Sequence, residues 1–177
     1  MAIVPLSVTA ARERVADFGP FFMSGSVSFV LDADTVEPQP SCNVREFVEQ
    51  ESIRFLVIKS SATRREIITS TLYEKAIIRR KMETVDTVEE GFAKVRSDGN
   101  YAFIIDEPIA KYEAQKYPDD FVIYNFESFL EYHYAIASSI NSKLDIPLRY
   151  AVLVLMEGAH IRRLQEKWWG PQIKCPL

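Results

Sequence analysis

Two places along the chain carry residues whose type and position could do chemistry. The first is the turn Ser60, Ser61, Ala62, Thr63, which follows the apolar run IRFLVI (53–58) and opens a helix-like segment. Helix N-termini present unpaired N–H groups and the positive end of the dipole, so this turn is a potential anion site. Arg64 and Arg65 follow at once. Cations in a first helical turn oppose the dipole; a bound anion would relieve that, and two solvated arginines also account for them. The second place is Asp106, at the end of the buried-type run YAFII (101–105). In open α/β sheets, ligands sit at the carboxyl ends of strands. One place offers donors for an anion and the other a carboxylate for a cation, which together suit a zwitterion such as an amino acid. The plainer alternative makes Thr63 an ordinary N-cap and Asp106 the cap of a helix that carries Pro108 in its first turn.

Other chemistries lack their residues. None of the 6 glycines forms a GxGxxG or GxxxxGK[ST] loop. His133, His160, Cys42 and Cys175 supply neither HExxH nor paired CxxC ligands, so no metal or other cofactor is expected. GxSxG is absent as well. These absences lean against an enzyme.

The elements that must position the two candidates alternate along the chain. Residues 5–18 read as a turn and a short helix capped by Thr9, and 26–31 as a β-branched strand. The acidic, proline-bearing stretch 32–41 reads as a linker. A short helix over 43–50, capped by Asn43, leads to the 53–58 strand, the polar turn and one helix continuing through Lys81. A helix over 87–95 shows the capping-box pair Thr87 and Glu90 and ends near Gly99. Strands follow at 101–105 and 121–124, with the Pro108 helix between them. Residues 147–169 predict the longest helix, with Leu148, Val152, Leu155, Ala159 and Trp168 as its stripe. This alternation predicts an α/β fold with a mainly parallel sheet.

Composition agrees with a folded domain. Of 177 residues, 47% are apolar and 26% charged, ordinary for a globular chain and enough for a core. A net charge of -4 with no basic run argues against nucleic acid as a partner. The longest apolar stretch, 150–156, falls far short of the ~20 residues of a membrane helix, and the N-terminus does not read as a signal peptide.

The run PLSVTAARERVADFGPFF (5–22) resembles a segment of ionotropic glutamate receptors. Pro5, Leu6, Thr9, Arg12, Glu13, Val15, Asp17, Phe18 and Phe21 fit the family's spacing, and Ser7 keeps the hydroxyl of a usual threonine. LQEKWWGPQIKCP (164–176) is similar to the close of the same ligand-binding domain. Thr63, TLYEK (71–75) and AFIIDEPIAKYEAQK (102–116) fall between them in the family's order.

The resemblance implies a two-lobed, periplasmic-binding-protein-like (type II) clamp, with lobe two nearly whole and lobe one partial. The expected division is 1–21 as partial lobe one, 22–131 as lobe two, and 132–177 as the return to lobe one with the C-terminal helix. The family's pattern begins before Pro5, its roofing aromatic lies in that part, and no pore segment stands within the chain. The resemblance implies that Arg12 clasps the agonist's α-carboxylate, helped by the Ser7 hydroxyl, with the Pro5 carbonyl and Asp106 on the ammonium. Thr63 and the amides of Ala62 and Thr63 would hold a distal carboxylate. Thr63 favours glutamate over glycine as agonist, and Asp106 resembles NMDA-type subunits; Ala62 replaces a common serine and removes one donor.

In the full-length form the resemblance implies a tetramer with other subunits at the cell membrane, with this domain extracellular, as at a postsynaptic site, where clamp closure gates a cation pore. The alternative is a soluble periplasmic-type amino-acid-binding protein. Cys175 matches the family's C-terminal cysteine, but its usual partner near 117–119 is absent, so Cys42 and Cys175 are expected to be free thiols. His133 stands where the family often has a Gly-Tyr-Gly turn, which implies a stiffer crossing strand. His160 is expected to be solvated, and Trp168 and Trp169 to pack at the end of the last helix.

Overall fold

Apolar residues at successive positions, as in FLVI and AFII, belong in a sheet covered on both faces. A computed structural model describes residues 5–35, 43–117, 119–126 and 129–169 and shows such a sheet. Cys42 and Cys175 lie outside the described residues, as does most of the expected linker.

Along the chain the elements begin with β1 (Pro5–Ser7), α1 (Ala10–Glu13), β2 (Asp17–Phe18) and the long β3 (Met23–Asp32). After α2 (Val44–Glu49) come β4 (Arg54–Ile58), α3 (Ala62–Thr69), α4 (Tyr73–Arg80) and β5 (Met82–Val85). Then follow α5 (Val88–Ser97), β6 (Tyr101–Asp106), α6 (Glu107–Ala114), β7 (Phe121–Tyr124) and β8 (Glu131–Ser138). The chain continues with α7 (Asp145–Glu157) and α8 (His160–Trp169). It forms two compact units: Ser26–Leu130 is one, and the described residues before and after it make the other.

In the Ser26–Leu130 unit the strand order is β5-β4-β6-β3-β7. β4 runs parallel to β5 and β6, but β3 is antiparallel to β6 and β7. The sheet is therefore mixed, not mainly parallel. β3 arrives without a crossover helix before it, and β7 returns along its other edge.

Alternate residues of each strand face opposite sides. On one side Phe29 of β3 and Phe55 of β4 meet Phe47 of α2 in edge-on contacts, with ring centroids 5.5 to 6.2 Å apart. On the other, Val30, Leu56 and Phe103 join Phe92 and Val95 of α5 and Phe121 of β7.

In the other unit β8 pairs antiparallel with β1 and with β2. Thr9 caps α1 as expected, accepting from the Arg12 amide. Arg149 of α7 donates to the Phe18 carbonyl at 3.2 Å and ion-pairs with Asp145 at 2.9 Å, anchoring α7 on the β2 strand.

Two expected helices are each broken in two. The segment after Ser61 ends α3 at Thr69 and restarts α4 at Tyr73, because Ser70 is extended at the break and its hydroxyl accepts from the Leu72 amide. The 147–169 helix stops at Gly158, and Ala159 takes a left-handed φ of 55° before α8 begins. Its expected stripe is not a buried face: of Leu148, Val152, Leu155 and Trp168, only Val152 is buried. β5, which the sequence reading passed over, completes the edge of the sheet.

Candidate functional site

Arg12 is placed by its own N-terminal neighbourhood. β1 holds Ser7 opposite Tyr134 of β8, and the Thr9 cap turns the chain into α1 so that Arg12 folds back over Ser7. Arg12 Nη1 donates to the Ser7 carbonyl at 2.7 Å and to Ser7 Oγ at 2.6 Å. Ser7 is 9% exposed. Among the described residues the guanidinium makes no hydrogen bond to Glu13 or Asp17, the helical partners a solvated arginine would use. A planar fork oriented through one nitrogen keeps its remaining edge as a donor pair suited to a carboxylate. Pro5 lies in β1 opposite Ile136.

The other candidates gather in the Ser26–Leu130 unit. Parallel pairing of β4 with β6 sets their carboxyl ends side by side, with α3 leaving one and α6 leaving the other. Ser61, not Thr63, caps α3: its Oγ accepts from the Arg64 amide at 3.0 Å and donates to the Ile58 carbonyl at 2.8 Å. Thr63 is thereby released from the capping role and is 4% exposed. Its Oγ1 donates to Asp106 Oδ1 at 3.3 Å. Asp106 occupies the N-cap position of α6 without a side-chain capping bond. Ala62 and Thr63 contribute the first two helical amides, which lack intrahelical acceptors by geometry. Arg64 Nε is buried with no hydrogen-bond partner among the described residues.

Sequence reasoning passed over the group beside Asp106. Glu107 is 9% exposed and ion-pairs with Lys111 at 2.8 Å. Ser26 Oγ donates to it at 2.7 Å and Asn125 Nδ2 at 3.2 Å. Burial pushes its carboxyl up, but the bonds from Lys111 and Ser26 outweigh that and hold it below the ordinary glutamate value. The legible signal was the i,i+4 spacing of Glu107 and Lys111 on one helix.

The structure therefore brings Ser7 and Arg12 together in one unit, and Ala62, Thr63 and Asp106 together in the other.

No family model matches the chain. Individual proteins do. Glutamate receptor 2 of Caenorhabditis elegans is 33% identical over 92 residues, 51% of this chain and 9% of that protein. A probable glutamate receptor of Lithobates berlandieri is 27% identical over 151 residues, covering 82% of this chain and 30% of its own length. Among solved structures, the Drosophila muscle GluRIIB complex with glutamate aligns with a TM-score of 0.82 at 26% identity, covering 96% of this chain and 68% of that one. In sequence and in fold the chain resembles the ligand-binding domains of ionotropic glutamate receptors.

The chain has the two-lobed α/β fold class of these structures. It spans about a third or less of the length of the curated receptors it matches. Among its described residues no helix is long and apolar enough to cross a membrane.

Proposed function

We propose that the chain is the agonist-binding part of a glutamate-gated cation channel subunit, and that L-glutamate, not glycine, is its agonist. The observation that carries this is the pairing of Thr63 with Asp106 at the open end of α3. A carboxylate and a helix N-terminus side by side offer one partner for an ammonium and one for a distal carboxylate. Glycine has no group for the second.

Asp106 then takes the ammonium, with the Pro5 carbonyl. Arg12 takes the α-carboxylate, assisted by the Ser7 hydroxyl that already orients it. Thr63 and the amides of Ala62 and Thr63 take the distal carboxylate. Ser26–Leu130 is then lobe two, and the residues on either side of it belong to lobe one. In the full-length subunit, assembled with others at the cell membrane, agonist that binds the closed state more tightly shifts the population toward it and opens the pore. The similarity to a receptor structure in complex with glutamate supports this reading.

Nuclear magnetic resonance titration of the isotope-labelled chain tests it. L-glutamate should shift the amide signals of Arg12, Ala62, Thr63 and Asp106 together. Glycine should leave Ala62 and Thr63 in place. Shifts by glutamate confined to residues outside this set would overturn the assignment.

A further inference from the structure

The β3–β6 ladder ends at the pair Val27 and Asp106. One residue beyond it, side chains take over the task of the backbone. Ser26 Oγ donates to Glu107 Oε2 at 2.7 Å. Asn125, just past β7, donates to Glu107 Oε1 at 3.2 Å, and Lys111 approaches the same oxygen at 2.8 Å. Ser28 donates to Asn125 Oδ1, which turns the amide so that its NH2 faces Glu107. Glu107 thus ties the first turn of α6 to β3 and to the exit of β7.

Burying a carboxylate with its partner is seldom a net gain in stability, and setting a register is the better-attested use of such a pair. What this one registers is the residue next to it. Asp106 is held by the ladder on one side and by the Glu107 anchor on the other, and its Oδ1 meets Thr63 at 3.3 Å.

We infer that Glu107 is a positioning residue for Asp106, fixing the ammonium-binding carboxylate beside Thr63 through Ser26, Asn125 and Lys111. The inference rests on the proposed role of Asp106. Glu107 does not touch the agonist; it sets the selectivity for ligands that carry an amine.

The test titrates the full chain with L-glutamate and with glutarate, which lacks the amine. Wild type, Glu107→Ala, Glu107→Gln and Asp106→Asn are compared. Wild type prefers glutamate. In Glu107→Ala that preference falls roughly tenfold while glutarate binding holds, as expected for a misaligned charge-assisted contact. Glu107→Gln, which keeps the shape and a carbonyl acceptor, retains part of it. Parallel weakening of both ligands in Glu107→Ala would show a merely structural role and overturn the inference. So would a preference that survives in Glu107→Ala but is lost in Asp106→Asn. A preference untouched in Asp106→Asn instead defeats the ammonium role of Asp106. A ligand-free measurement decides independently of affinity: nuclear Overhauser contacts between the Thr63 and Asp106 side chains should disappear in Glu107→Ala, and their persistence rejects the positioning claim.

Discussion

At Arg12 the difference between two cations decides the chemistry. Its guanidinium is oriented by two bonds to Ser7, at 2.7 and 2.6 Å, before any ligand arrives. A lysine ammonium cannot make that contact and also present two parallel donors. Arg12→Lys is therefore expected to cost roughly 2–4 kcal/mol of glutamate binding, the loss of a bidentate charge-assisted pair, read by calorimetry. Thr63 argues differently. In the proposed function its hydroxyl serves a distal carboxylate, so Thr63→Ala should weaken glutamate by roughly 1.5–3 kcal/mol and leave glycine unchanged. Equal losses for both amino acids would mean that Thr63 acts only through Asp106.

The helices and strands are held to their places by close approaches that propensity does not show. Gly91 lies in α5, where alanine would ordinarily favour the helix by about 1 kcal/mol. Here a Cβ would come within 2.5 Å of the Phe103 ring, which is fully buried in β6. Phe92 stands edge-on to that ring at 5.8 Å, so a shift of the ring disturbs a second core contact. Packing wins over propensity, and Gly91→Ala should destabilise the fold by about 1–3 kcal/mol in chemical denaturation. A stabilised variant would show that α5 is free to lift from the sheet.

Across the whole molecule, stability should depend on pH through ion pairs that join elements. Glu83 of β5 accepts from Lys94 of α5 at 2.6 Å and from Tyr101 of β6 at 2.9 Å. These bonds, Lys94 first, hold its carboxyl below the ordinary 4.5. Glu107 is also held below 4.5. A carboxyl lowered in the folded state binds fewer protons there than in the unfolded chain, so its contribution is present above about 4.5 and is lost as the pH falls through the folded value. Lys94 is raised by its bond to Glu83, so its contribution is present below 10.5 and is lost as the pH rises through the folded value. Thermal unfolding of wild type and Glu83→Gln should differ at neutral pH and converge in acid. An undiminished difference at pH values well below 4.5 would reject the assignment.

Local signals were legible where one side chain acts on its own neighbours. Thr9, Asn43 and Thr87 cap the helices they were expected to cap, because a cap needs only a few consecutive residues. The sequence also nominates candidate residues, Thr63 and Asp106 by their places at strand ends and Pro5, Ser7 and Arg12 by the run 5–22, and their roles remain part of the proposed function. Tertiary structure decided the rest. Whether Ser61 or Thr63 caps α3 turns on which hydroxyl also reaches the Ile58 carbonyl, and that is a matter of how β4 delivers the chain. The breaks at Ser70 and Ala159 defeat a helical period that runs on through both. β3 alternates at Ser26, Val27, Ser28 and Phe29, which marks a strand but not its neighbours, and only the tertiary fold sets it antiparallel between β6 and β7. The Glu107 network joins residues 26, 107 and 125, and only the sheet brings positions so far apart in sequence within reach of one carboxylate.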